Sequence, residues 1–222
     1  PMDMTKDIGA GGEECPYRWR PMSFEVDGKK YVNERATATQ QAGFWFVAQT
    51  RGWLPGAIGG ILWFGTDDPG TSCLTPIYCS VTDVPECFRE GNGHMTQYSD
   101  TAAFWIFNRV AQFAYLRYNL IGKHVQQVAN EWENEKLEEV KTIDAMAHEI
   151  YIMKPEHAKE LLTQFSTDTA QDLFKKWVDL DKYLMVKYID GNVKKEDANG
   201  FTDNGHGKNI PASPLQTGYT EK

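Results

Sequence analysis

Four cysteines, Cys15, Cys73, Cys79 and Cys87, are the strongest nucleophiles in this sequence. A thiol attacks only where a base or a positive potential lowers its pKa. They form no C-x-x-C pair and no zinc-ribbon spacing, so the pattern does not point to a structural metal. Cys73 and Cys79 lie six residues apart in an expected strand, which puts both on one face and reads as core packing. Cys15 and Cys87 fall in expected loops and are the better, though still poor, candidates for a reactive thiol. Whether any of the four join in a disulfide, and so the redox compartment, stays open.

Gln40 and Gln41 are amides among apolar neighbours, an expensive place for polar groups without partners. They either line a site that grips amide groups or bond loops and cross-strand backbone. Arg51 shares a strand face with Gln41 and either holds a ligand carboxylate in a bidentate pair or pairs with a structural acid. His148-Glu149 begins like a helical zinc motif, but Ile152 stands where the second histidine belongs. The five histidines show no ligand-like cluster, which leaves no metal to expect. Asp67-Asp68 suit a turn, where aspartate caps backbone amides. The acids Glu131, Glu133, Glu135, Glu138 and Glu139 read as the solvated face of a helix.

These residues need elements to position them. Residues 1–34 are an irregular leading segment followed by a ribbon, whose Asp27-Gly28 pair signals a hairpin. Residues 35–80 read as an antiparallel meander. Arg35–Arg51 alternates with period two, placing Ala36, Ala38, Gln40, Ala42, Phe44, Phe46 and Ala48 on an apolar face. Ala57–Thr66 and Ser72–Ser80 supply the other two strands. From residue 100 to 191 the period becomes helical. Thr101–Ile121 is apolar on most sides and is expected to end at Gly122, covering the apolar face of the first strand. Val125–Tyr151 is amphipathic, Pro155 opens a short helix to Phe165, and Asp168 caps a last helix that runs to Gly191. Residues 192–222 read as an extended tail. The fold class is α+β.

The chain has 222 residues, 41% of them hydrophobic and 24% charged, which suits a folded globular protein. Seven Trp, ten Tyr and eleven Phe form a heavy aromatic load that favours large buried contacts or a surface covered by another segment, a second chain or a further copy. With a formal net charge of −8 and no basic stripe, nucleic acid is an unsuitable partner. The longest apolar run, Ala57–Phe64, is far shorter than a membrane span.

Three stretches carry a resemblance. They are Tyr17-Arg18-Trp19-Arg20-Pro21, Asn33-Glu34-Arg35-Ala36-Thr37-Ala38-Thr39-Gln40-Gln41, and Phe46-Val47-Ala48-Gln49-Thr50-Arg51-Gly52-Trp53-Leu54-Pro55. With Ile58–Gly65, Thr75–Cys79, Val84–Phe88, Phe104–Asn108 and Asn204–Pro214, they resemble the later half of bacterial cysteine dipeptidases of the N-terminal-nucleophile hydrolase class. That resemblance implies a four-layer αββα sandwich and a short peptide as substrate, with no metal or organic cofactor. It also implies an N-terminal cysteine, exposed by processing, whose own α-amino group is the base. Because the first residue here is Pro1, the nucleophile is expected in an upstream segment or second chain, and no catalytic residue among residues 1–222. Gln40, Gln41 and Arg51 are the candidate substrate-binding residues. Two other readings compete: a noncatalytic peptide- or protein-binding module, and a disulfide-bonded structural domain. An upstream processed cysteine separates the first reading from both.

Overall fold

The computed structural model describes residues 23–32 and 38–202. The expected leading segment, Cys15, the proposed start of the long strand at Arg35 and the tail beyond Thr202 lie outside them. The described chain is α+β, with antiparallel sheets and long helices. It divides into two compact units, with the boundary after Trp177.

In the first unit, β1 (Ser23–Val26) and β2 (Lys29–Val32) form the expected hairpin. Asp27 and Gly28 take φ of 50° and 73° at its turn, the left-handed values a tight hairpin needs. The main sheet has the order β3 (Phe44–Thr50), β4 (Gly60–Thr66), β5 (Thr75–Tyr78), all antiparallel. Residues 51–59 reverse the chain through a single turn of helix, α1 (Gly56–Gly59). A Cβ on Gly59 would lie 2.8 Å from the Arg51 carbonyl oxygen, so that turn accepts only glycine there.

The first strand is shorter than the alternation predicts. Residues 38–43 form a bend and turn closed by the Ala42 amide on the Thr39 carbonyl at 3.0 Å, which places Gln40 and Gln41 before the strand. Cys73 likewise precedes β5 and is buried, whereas Cys79 follows it and is exposed, so the two do not share a strand face.

The side of β3 that faces the helices is also the reverse of the expectation, although only Trp45 on it is partly buried and Val47 and Gln49 stay exposed. The pairs Phe44–Thr66, Phe46–Phe64 and Ala48–Leu62 define one side of the sheet, and Trp45–Gly65, Val47–Trp63 and Gln49–Ile61 the other. The second side meets the helices: Ile58, Ile61, Trp63 and Tyr78 pack with Val140, Ala147, Leu162 and Phe165. Each fully buried aliphatic side chain there stabilises by about 1.5–3 kcal/mol. Phe44 and Phe46 remain 59% and 54% exposed on the opposite side. The amphipathic residues can face the helices because their polar atoms find partners there. The indole of Trp45 donates to Ser72 Oγ at 2.8 Å, and that of Trp63 to Gln49 Oε1 at 2.9 Å.

The helices are α2 (Ala103–Leu116), α3 (Tyr118–Met153) and α4 (Pro155–Tyr188). The break falls at Arg117 rather than at Gly122. Gly122 is buried inside α3, where a Cβ would lie 3.1 Å from the Tyr118 ring, so it serves close packing and not termination. The two last helices expected from sequence are one. Asp168 lies within α4 and accepts from the Gln164 side chain at 2.7 Å instead of capping a helix start. Phe107 of α2 stacks on Trp177 at 4.6 Å between ring centroids.

The second unit holds the end of α4 and a small hairpin, β6 (Glu196–Asp197) and β7 (Gly200–Phe201). Lys187 pairs with Glu196, whose carboxylate also accepts from the Tyr183 hydroxyl at 2.7 Å, and Tyr183 stacks on Phe201.

Candidate functional site

Three of the expected functional groups are side chains of β3 or its flanks, and the fold sends them in different directions. Arg51, directly after the strand, is 6% exposed and points to α3, where it pairs with Asp144. Its other nitrogens donate to the carbonyls of Ile58 at 2.6 Å and Gly59 at 3.4 Å. Asp144 also accepts from the Tyr78 hydroxyl at 2.7 Å, and burial first, then this carboxylate, raises the Tyr78 pKa. Arg51 thus takes the structural pairing that the sequence left open, and it lies on the helix side of the sheet. Gln41 is exposed in the turn before β3 and is engaged by another group. Gln40 is partly buried, and its side-chain oxygen meets no hydrogen-bond donor among the described residues.

Gln40 does not stand alone in this. Thr66 Oγ1, at the end of β4, and Asp67 Oδ2, one residue further, are also buried without partners among the described residues. The Asp67 amide donates to the Gly43 carbonyl at 3.0 Å, which brings these residues to the start of β3, three positions from Gln40. Buried polar atoms are nearly always satisfied, so three at one end of a sheet leave hydrogen-bonding capacity there that no described residue uses.

Asp67 is the most unusual member. It is 2% exposed and holds φ of 71°, a left-handed conformation that costs energy for a residue with a Cβ. Asn108 of α2 donates to its Oδ1 at 3.0 Å. Burial, and secondarily the neighbouring Asp68 carboxylate, raise its pKa from 3.8 to about 8. At neutral pH Asp67 is therefore largely a carboxylic acid, able to give a hydrogen bond to a carbonyl as well as to accept one. Asp68, fully buried, anchors the turn: it accepts from the Gly70 amide, the Thr71 hydroxyl and the Tyr115 hydroxyl at 2.8, 2.5 and 2.8 Å. Turn chemistry accounts for Asp68 but not for Asp67. Only the oddity of two adjacent acids directly after an apolar strand could have singled out Asp67 in sequence.

The side of the sheet that carries Phe44, Phe46, Leu62, Phe64 and Thr66 continues from this polar end. Phe44 stacks on Phe64 at 6.1 Å, and Phe88 meets Phe64 edge-on at 5.1 Å, but the two β3 phenylalanines have no further cover among the described residues.

Two of the three described cysteines, Cys73 and Cys87, are poor nucleophiles. Burial pushes the Cys73 thiol well above its ordinary value and the Cys87 thiol up to about 12. The Cys87 thiol points at the Ala170 carbonyl. Cys79 is exposed beside Gly60. All three are free thiols. Among the described residues no three His, Cys, Asp or Glu side chains gather as a metal site requires. No described helix is long and apolar enough to cross a membrane.

A profile of Peptidase family C69 matches residues 8–131, which spans the ribbon, the sheet, α2 and the start of α3. The chain belongs to this peptidase family. No curated protein matches it.

Proposed function

We propose that this chain is part of a cysteine dipeptidase, and that the attacking thiol comes from a processed N-terminal cysteine upstream of the sheet rather than from Cys15, Cys73, Cys79 or Cys87. The observation that carries this reading is the uncovered apolar side of β3 and β4, ending in the unpartnered polar atoms of Gln40, Thr66 and Asp67. A sheet with helices on one side and exposed phenylalanines on the other suits a second layer laid against it. Family membership supports peptide hydrolysis, and the raised thiol pKa values of Cys73 and Cys87 argue against either as the nucleophile.

In this reading the polar end of the sheet grips the peptide unit of the substrate. Asp67, protonated, donates to a peptide carbonyl, and Gln40 accepts from a peptide N–H through its free oxygen. Gln41 borders the same turn. Arg51 keeps the sheet on α3 and takes no part in binding. The thiol of the upstream cysteine attacks the scissile carbonyl and its own amino group takes the proton. The chemistry calls for no metal.

The test is an assay of dipeptide hydrolysis by the intact gene product and by residues 1–222 alone, each confirmed by intact mass. The intact protein is expected to be active, blocked by alkylation and indifferent to chelators, and residues 1–222 alone inactive. Alkylation-sensitive hydrolysis by residues 1–222 alone would falsify the assignment of the nucleophile.

A further inference from the structure

On the helix side of the sheet, away from the polar end described above, β3 and α3 do not close completely. Two recesses lie between them. One, of about 330 Å³, has walls from Val47, Trp63, Leu74 and Leu137. The other, of about 280 Å³, is bordered by Trp45, Ser72 and the amides Gln126 and Asn130. Glu133 lines both.

Glu133 departs from the solvated face expected of its acid run. It is half-buried and fixed by the Leu74 amide, which donates to its Oε1 at 2.9 Å. The adjacent Trp132 indole donates to the Leu74 carbonyl at 3.2 Å, so α3 holds both polar groups of that residue's backbone and the carboxylate cannot swing away. Its neighbours in the run behave differently. Glu135 and Glu139 both pair with Lys136, and Glu138 with Lys141. None of the ion pairs among the described residues uses Glu133. A carboxylate held in place without a cation, between an apolar recess and an amide-lined one, is complementary to a positive charge carried beside an apolar group.

We propose that this groove binds a primary ammonium next to an apolar side chain, with Glu133 as the counter-ion. The side chain lies against Trp63, Leu74 and Leu137, and the amide of Asn130 meets the carbonyl that follows the ammonium. Both a free apolar amino acid and the N-terminus of a short peptide have this chemistry. A volume of about 330 Å³ takes one side chain of leucine or phenylalanine size. The site is separate from the open side of the sheet, because Val47 and Trp63 point to the helices and Phe46 and Phe64 point away from them. It does not depend on the assignment of the catalytic thiol.

Titration calorimetry of residues 1–222 with leucinamide, leucine and N-acetyl-leucinamide tests the proposal. Saturable binding of leucinamide is expected, with the acetylated compound at least about tenfold weaker because it has lost the ammonium. Leucine binding as tightly as leucinamide assigns the site to free amino acids; a clear preference for leucinamide assigns it to peptide N-termini. Glu133→Gln keeps an acceptor for the Leu74 amide and should weaken leucinamide binding by about tenfold without changing the unfolding midpoint. Leu137→Lys, at a half-exposed position, should weaken it as well by setting a competing ammonium beside Glu133. Equal affinity for the acetylated compound, unchanged binding in both variants, or no binding of either amine at millimolar concentration overturns the proposal.

Discussion

Arg51 and Asp144, 93 positions apart in sequence, form a part-buried ion pair that ties the end of β3 to the middle of α3. The Tyr78 hydroxyl on the other carboxylate oxygen draws β5 into the same contact. Removing Asp144 leaves the buried Arg51 guanidinium uncompensated, which costs up to about 3–5 kcal/mol. Asp144→Ala should lower stability by that order in urea unfolding, and Arg51→Ala by less, because Asp144 is partly exposed and keeps the Tyr78 hydroxyl. In the active enzyme, Arg51→Ala should show no preference between dipeptides with free and amidated carboxyl ends. A selective rise in KM for the free acids would return Arg51 to substrate binding.

Asp67 makes stability fall as pH rises. Its native pKa of about 8 lies above its ordinary value of 3.8, so between these values the folded chain keeps a proton that the unfolded chain releases. The contribution is full below about pH 4 and is lost progressively up to about pH 8, by at most about 1.4 kcal/mol per pH unit. Asp67→Asn keeps an acceptor for Asn108 and tolerates the left-handed backbone. It should be more stable than the wild type at pH 8 and similar at pH 4. Parallel pH profiles of the two proteins would refute this account of Asp67.

Trp45 lies across Gly65, its cross-strand partner, and a Cβ on Gly65 would stand 2.3 Å from the indole nitrogen. Gly65→Ala should therefore destabilise by about 1–3 kcal/mol, the usual cost of overpacking. The double variant with Trp45→Leu should recover part of the loss. Additive effects of the two changes in thermal unfolding would show that the ring has room to move.

How much of this was readable beforehand depended on whether the deciding force was local. The Asp27-Gly28 turn, the amphipathic α3 and the three-strand meander follow from turn chemistry and periodicity, and these appear. The side of β3 that meets the helices does not follow from periodicity. Phe44 and Phe46 look like core, yet the helix side of the strand carries Trp45 and Gln49, whose polar atoms meet Ser72 and Trp63 while the indole lies across Gly65. Those partners come from other strands and loops, invisible to a reading of one strand. Gly122 and Asp168 misled for a related reason: helix-ending and helix-starting residues also occur inside helices when packing favours them. Of the site, Gln40 was visible as a misplaced amide, while Asp67 was hidden behind ordinary turn chemistry.

The exposed phenylalanines provide a test that separates folding from function. Phe46 is largely solvent-exposed in this chain, so Phe46→Lys should change the stability of residues 1–222 by no more than about 0.5 kcal/mol. In the intact protein the same change should destroy dipeptide hydrolysis, since a lysine would then face a second layer packed on β3. Full activity in the intact variant would mean that this side of the sheet stays open to solvent.

The central claim is that the catalytic thiol is none of the four cysteines of this chain, and mapping an inactivating label tests it most directly. The intact, active protein is treated with iodoacetamide until dipeptide hydrolysis is lost, and the modified cysteine is located by peptide mass spectrometry. The label is predicted on an upstream cysteine with a free α-amino group, in proportion to lost activity and prevented by substrate. Stoichiometric labelling of Cys15, Cys73, Cys79 or Cys87 that tracks inactivation would contradict the account.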